Sequence, residues 1–275
     1  MSRHTTRPRS LSSLLGELHE QRFSGTVLVS GSPGGRVHLR AGRIAAADTP
    51  GAPGPETILR NTGRLEGEEW EAVAVAAATG EEPLSAVLES RGLLARPEFD
   101  ILCTATVFDA AFALAFSELE SWEIADAVSV AWMGPTFSPR RVTTDTKRRL
   151  AVLEGMWGGH VADLARFVVR PASDLPSRIP DRYAGLLRAA NGRRTPRDIA
   201  FSLGRGTYAV MLDLARMYTL GLLQRDQGTA PETRPSTAPR TPESHASGSP
   251  LPASTVTKLP RRTPGAQHPH LTVKR

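Results

Sequence analysis

From Phe23 to Ala47 the chain carries an apolar pattern of period two, broken at turns that contain glycine. Val27 and Val29 recur two residues apart, and so do Val37 and Leu39. That period puts alternate side chains on opposite faces of a sheet. Ser30-Gly31-Ser32-Pro33-Gly34-Gly35 joins the first two strands, and Ala41-Gly42 makes a two-residue turn into Arg43–Ala47. Strands this short, joined by loops this short, must be antiparallel neighbours. The segment is therefore expected to form a β-meander, with the helix Leu11–Leu18 before it.

After a Pro/Gly loop at 49–55 the period becomes helical. Helices are expected at Glu56–Asn61, Gly67–Ala78, Pro83–Arg91 and Arg96–Phe116, then a strand at Trp122-Glu123-Ile124. Pro135 and Pro139 mark a boundary. Thr144–Val169 reads as a helix that the pair Gly158-Gly159 bends or breaks. Pro180–Ala190 is a further helix. Thr195 is a good N-cap with Pro196 at the first helical position, which starts a helix to Leu203. Thr207–Leu220 is the last helix, and Leu222–Arg225 is a short strand.

From Gly228 onward there is no aromatic residue and no apolar period. Such a segment buries too little surface to offset its ordering entropy, so disorder is expected there. The whole chain of 275 residues carries a net charge of +6. Residues 11–177 hold 15 basic and 22 acidic residues, whereas 178–225 hold nine Arg and three Asp. An acidic body is thus followed by a basic module and a basic tail. Such asymmetry points to a nucleic-acid, membrane or acidic-protein partner. No run approaches the roughly 18 apolar residues of a membrane helix, and no secretory leader is visible, so a cytoplasmic protein is expected.

Signals for catalysis are weak. Ser30–Arg36 is rich in glycine but lacks the Lys and Ser/Thr of a phosphate-binding loop. Glu66, Glu68, Glu69 and Glu71 cluster at a helix start, where they favour the dipole and stay solvated. The single cysteine, Cys103, lies in an apolar run and is expected to be buried. The seven histidines show no metal-ligand spacing in the folded body. No cofactor, metal or catalytic residue is assigned. Arg140, Arg141, Lys147, Arg148 and Arg149 form a basic run at a helix start. It reads first as a solvated face, and contact with DNA or an acidic partner is the alternative.

Several phrases resemble one family. They are Ser24-Gly25-Thr26-Val27-Leu28-Val29, then Gly35–Ala47 with its Ala41-Gly42-Arg43-Ile44 turn, Leu84-x-x-Val87-Leu88, Gly92-Leu93-Leu94 and Pro97-Glu98, and Phe108–Phe116 with Trp122-Glu123-Ile124. Residues 9–125 resemble the DUF4388, or PatA-like, N-terminal domain of bacterial regulatory proteins. The resemblance implies an interaction module in signalling proteins, with no catalytic residues to carry over. Residues 178–226 resemble a compact winged helix. The module either contacts protein or is purely structural, or it binds DNA; in the DNA reading the second helix of the pair reads base edges, and Thr207, Tyr208 and Arg216 would approach the groove. Arg178, Arg182, Arg188, Arg193, Arg194, Arg197 and Arg205 would hold phosphates.

The expected architecture is α+β. An N-terminal meander with a helical bundle (9–128) is followed by a helical linker (143–177), a winged-helix-like module (178–227) and the tail (228–275). The expected function is a non-enzymatic bacterial signalling protein that works through protein–protein contacts. The alternative is a DNA-binding regulator that uses 178–227. A membrane role is not expected.

Overall fold

The computed structural model describes residues 10–79, 82–115, 118–125 and 132–224. The tail expected at 228–275 lies outside the described residues, as does Arg225. Met1–Gln227 is one compact unit. The architecture is mixed α+β, as the sequence predicts.

Helix α1 (Leu11–Glu20) begins at Ser10, whose Oγ accepts the Ser13 N–H at 3.2 Å. Three antiparallel strands follow: β1 (Gly25–Ser32), β2 (Gly35–Arg40) and β3 (Arg43–Asp48). Val27 faces Val37 across the first pair, and Leu39 faces Ile44 across the second. The β2–β3 turn falls at Ala41-Gly42, with φ of 48° and 75°. Two positive φ values suit the twist of a tight hairpin. Ser24 Oγ holds the Ala41 N–H at 2.8 Å. β4 (Glu118–Ala125) pairs antiparallel with β1, which gives the order β3-β2-β1-β4. The expected strand at Trp122–Ile124 lies within this longer one.

Helices α2 (Pro55–Asn61), α3 (Gly67–Thr79), α4 (Leu84–Ser90) and α5 (Arg96–Ala115) match the expected four to within a residue or two. Leu59, Trp70, Val73, Leu88, Phe99 and Cys103 form one core among them. The inner face of the sheet packs on α1 and α5 in a second core, built on Leu14, Val27, Val37, Ile44 and Val107.

The largest differences from expectation lie at 139–169. The sequence predicts one bent helix from Thr144. Instead α6 (Pro139–Trp157) starts five residues earlier, with Pro139 as its first residue and Ser138 as its cap. It stops at Gly158, whose φ is 71°, and α7 (Val161–Arg166) is separate. Nor is 143–177 a linker: α6 packs against α1, α5 and α10 (Thr207–Thr219). β5 (Arg170–Pro171) pairs with β6 (Leu223–Gln224), a pairing that two residues cannot announce.

Helices α8 (Asp181–Ala189), α9 (Pro196–Leu203) and α10 surround Tyr183, Leu186, Ile199, Val210 and Leu214, all fully buried. Thr195 and Asp198 form a reciprocal capping box on α9, in keeping with the Thr-Pro signal. This set of helices is docked on the N-terminal half by polar bonds. Asn61 Nδ2 donates to Phe201 O at 2.5 Å, Arg197 Nε to Pro50 O at 2.6 Å, and Thr207 Oγ1 to Gly51 O at 3.0 Å.

Candidate functional site

Helix α6 carries an arginine-lined concavity on one face. Its volume is about 660 Å³, and its walls include Phe108, Ser138, Thr144 and Asp145 with Arg140, Arg141, Arg148 and Arg149. Positions 141, 144, 145, 148 and 149 share a face because residues three and four apart are helical neighbours. Ser138 Oγ accepts the Arg141 N–H at 3.3 Å, which fixes the first turn.

Two of the guanidinium groups rest on aromatic rings. Arg141 lies 5.2 Å from the Phe137 ring centre and 5.9 Å from that of Phe108. Arg149 lies 4.8 Å from the Tyr208 ring centre and 5.7 Å from that of Phe108. Each such stack contributes about 0.5–1 kcal/mol and fixes the orientation of the planar fork. Phe108 and Phe137 are themselves edge-packed at 5.1 Å. Among the described residues that line the wall, Asp145 is the one carboxylate. It accepts from Arg148 Nη2 at 2.8 Å and lies 2.5 Å from Arg149 Nε. The latter is an ion pair without hydrogen-bond alignment, because neither atom finds a hydrogen-bond partner. Four cations against one anion leave the concavity strongly positive. Arg140 and Arg141 have no carboxylate within ion-pair distance among the described residues.

Asp109 sits behind this site on α5 and is 4% exposed. Its carboxylate accepts the N–H of Thr207 at 2.6 Å and of Tyr208 at 2.8 Å, capping α10 from another helix. Burial pushes its carboxyl above the usual range, against the two backbone N–H bonds and the nearby Arg149. The cap holds Tyr208 where its ring meets both Phe112 and Arg149.

That cap also decides where the residues assigned to DNA lie. Thr207 is 2% exposed, and Tyr208 is half-buried against α5 and α6. Neither faces a free groove-reading surface. Arg216 is exposed and pairs with Asp213, which also binds Arg205 at 2.7 Å. Arg197 stacks on Phe201 and is spent on Pro50, and Arg182 stacks on Tyr183. Arg194 is exposed near Asp198. Arg178, Arg188 and Arg193 are exposed, with no carboxylate at ion-pair distance among the described residues. The arginines expected to hold phosphates are thus accessible in part, while the residues expected to read bases are not brought together.

Comparison with protein-family models, curated proteins and solved structures finds no match for the chain. The geometry of the site therefore carries the functional reading.

A second polar cluster lies in the sheet. Thr26 Oγ1 is 3.0 Å from His38 Nδ1, and His38 Nε2 is 3.3 Å from Asp48 Oδ2. Hydroxyl, imidazole and carboxylate stand in the order of a nucleophile, its base and the group that orients the base. Thr26, however, is 1% exposed and His38 is 5% exposed, so no substrate reaches the hydroxyl. Burial raises the Asp48 carboxyl, but its bonds to His38 and Arg36 outweigh that and leave it below the usual range. The chain of bonds ties β1 to β2 and β3.

Among the described residues no group of three His, Cys, Asp or Glu is placed to hold a metal. None of the described helices is long and apolar enough to cross a membrane. The arginine run is visible in the sequence, but its aromatic platforms are not. The one local signal is Asp109, a lone acid in the apolar stripe of a predicted helix.

Proposed function

We propose that this protein is a non-enzymatic regulatory protein of a bacterial signalling system, acting through protein–protein contact. Its arginine concavity takes an acidic segment of the partner. The observation that carries this reading is the pair Arg141 and Arg149, oriented on Phe137, Phe108 and Tyr208 in a concavity where cations outnumber the carboxylate four to one. Pre-oriented guanidinium forks match carboxylates in two-pronged geometry and lose little freedom on binding. Asp145, the site's own acid, is engaged by two arginines. The resemblance of residues 9–125 to an interaction module points the same way.

The test is binding of a fluorescent oligoglutamate peptide to the full chain at low salt, read by anisotropy. Arg141→Ala and Arg148→Ala should each weaken it by about tenfold, the equivalent of about 1.4 kcal/mol per arginine. Unchanged affinity in both variants refutes the reading.

A DNA reading rests on a separate observation, the exposed Arg178, Arg188 and Arg193 with no carboxylate at ion-pair distance among the described residues. With Thr207 docked, it would be backbone binding without base readout. Duplex DNA binding that falls steeply with salt, and that fails in Arg188→Ala/Arg193→Ala but not in Arg141→Ala, would favour it.

A further inference from the structure

The four arginines of the α6 concavity are not equivalent. Arg148 and Arg149 share Asp145, at 2.8 and 2.5 Å. Arg140 and Arg141 are exposed and have no carboxylate within ion-pair distance among the described residues. Four cations less one carboxylate leave a charge of +3 on the described wall. A single incoming carboxylate matches one of those charges. A phosphomonoester, which carries about −1.5 to −2 at neutral pH, matches most of them.

Two hydroxyls stand among these cations. Ser138 Oγ accepts the Arg141 N–H, and its own O–H has no acceptor among the described residues. Thr144 is exposed, and its hydroxyl has no hydrogen-bond partner among the described residues. A helical threonine often returns its hydroxyl to the carbonyl four residues back, and Thr144 does not. Arg141, Thr144 and Arg148 follow one another at steps of three and four, so they share one line of the helix. A hydroxyl donor is thus set between two guanidinium-bearing side chains. A carboxylate has two oxygens in one plane, and one guanidinium fork engages both. A phosphomonoester offers a third acceptor oxygen, and a free hydroxyl beside the forks is a donor for it.

We propose that the group held in this concavity is a phosphoserine side chain of the partner protein. Arg140 and Arg141 engage two of its oxygens, and Thr144 donates to the third. Arg148 adds charge while it keeps its bond to Asp145. Phosphodiesters, as in nucleic acid, carry one charge and two free oxygens and leave that donor set unfilled. The phosphoserine narrows the acidic segment proposed above, and it stands only if the concavity takes acidic peptides.

The experiment compares two fluorescent peptides on the full chain by anisotropy. One is oligoglutamate, and the other is the same peptide with one central glutamate replaced by phosphoserine. The phosphopeptide should bind about tenfold more tightly at pH 7.5. Its second ionisation has a pKa of about 6, so that advantage should shrink about threefold on going from about pH 7.5 to about pH 5.5. The ionisable groups of the site are the four arginines and Asp145, with Asp109 and Tyr208 behind them. They meet both peptides alike, so the difference between the two pH profiles belongs to the phosphate. Thr144→Val keeps the shape at an exposed position and removes the donor. It should weaken the phosphopeptide by about three- to tenfold and change oligoglutamate by less than about twofold. If both peptides bind equally well, the phosphoserine proposal fails and the acidic-peptide proposal survives. If neither binds, both fail. Equal losses for the two peptides in Thr144→Val overturn the assignment of the third oxygen and with it the phosphoserine. Displacement of the phosphopeptide by inorganic phosphate at equal concentration also overturns it, since the peptide would then contribute nothing. So does displacement by duplex DNA at equal phosphate, which would make the concavity a site for nucleic-acid backbone.

Discussion

Replacing Asp109 with alanine tests how α10 is held. The carboxylate accepts two backbone N–H groups, at 2.6 and 2.8 Å, in a buried site. Each such hydrogen bond contributes about 0.5–1.5 kcal/mol with the protonated carboxyl as acceptor and about 1.5–3 kcal/mol with the ionised one. Against this stands the cost of burying the acid, which shows as its raised pKa. Water entering the vacated space would recover part of the loss. The net cost should be about 2–3 kcal/mol. For a folded unit of this size each kcal/mol moves the melting temperature by about 2–4 °C, so Asp109→Ala should lose about 4–12 °C. Asp109→Asn keeps one acceptor oxygen and should fall between alanine and wild type. The sign with pH is also fixed. A carboxyl whose pKa is raised on folding binds more protons in the native state, so it contributes most below its unfolded value of about 4 and loses that contribution as pH rises through the folded value. The deficit of Asp109→Ala should therefore be largest at the acid end. Melting followed by circular dichroism at several pH values measures both effects. A loss under about 2 °C at every pH would refute the idea that this carboxylate pins α10.

Asp48 shows the opposite sign. Its pKa is lowered on folding, so its pairing stabilises the protein above the unfolded value of about 4 and is lost as pH falls through the folded value. Asp48→Asn should cost about 1 kcal/mol at neutral pH, since the site is partly solvated, and nothing at the acid end, as read by urea unfolding. Cys103 is 1% exposed, and burial, aided by Asp100, pushes its thiol up to about 12. Iodoacetamide at neutral pH should leave it unmodified in the native chain and alkylate it fully in denaturant, by mass spectrometry. Gly42 has a φ of 75°, and a Cβ there would lie 2.6 Å from His19 O. Gly42→Ala should cost about 2 kcal/mol or more in chemical denaturation, from the left-handed backbone and the clash together.

Local features are legible in the sequence and long-range ones are not, for physical reasons. The meander is legible because strand period and turn residues are properties of adjacent positions. Val27, Val37 and the Ala41-Gly42 turn stand where that period places them. Thr195-Pro196 is legible for the same reason, because a cap is built within four residues. The start of α6 is obscured because its first turn, Pro139-Arg140-Arg141, buries a proline beside two arginines, with Val142 next, and so shows no apolar period. Ser138 and Pro139 set that start, and a Ser-Pro pair reads equally well as a boundary between modules. The two-residue strand β5 has no signature at all; it exists because Leu223 and Gln224 come alongside it from about fifty residues away in the chain.

The arginine concavity shows what a charge run does and does not specify. Arg140, Arg141, Arg148 and Arg149 are close in sequence, so their shared face follows from helical geometry alone. Whether such a face is merely solvated depends on what lies beneath it. Phe108 comes from α5 and Tyr208 from α10, each far away in sequence. The placement of Tyr208 is tied to Asp109, which lies beside Phe108 in the chain and accepts the Tyr208 N–H. One buried acid thus links the packing of α10 to the orientation of Arg149. Loosening that cap should weaken binding of an acidic peptide even though Asp109 does not line the concavity. In Asp109→Asn, oligoglutamate affinity at low salt should fall by about two- to fivefold at temperatures well below its melting point, the equivalent of about 0.4–1 kcal/mol. Binding equal to wild type would separate the two roles, leaving Asp109 as a fold anchor and the arginines oriented by Phe108 and Phe137 alone.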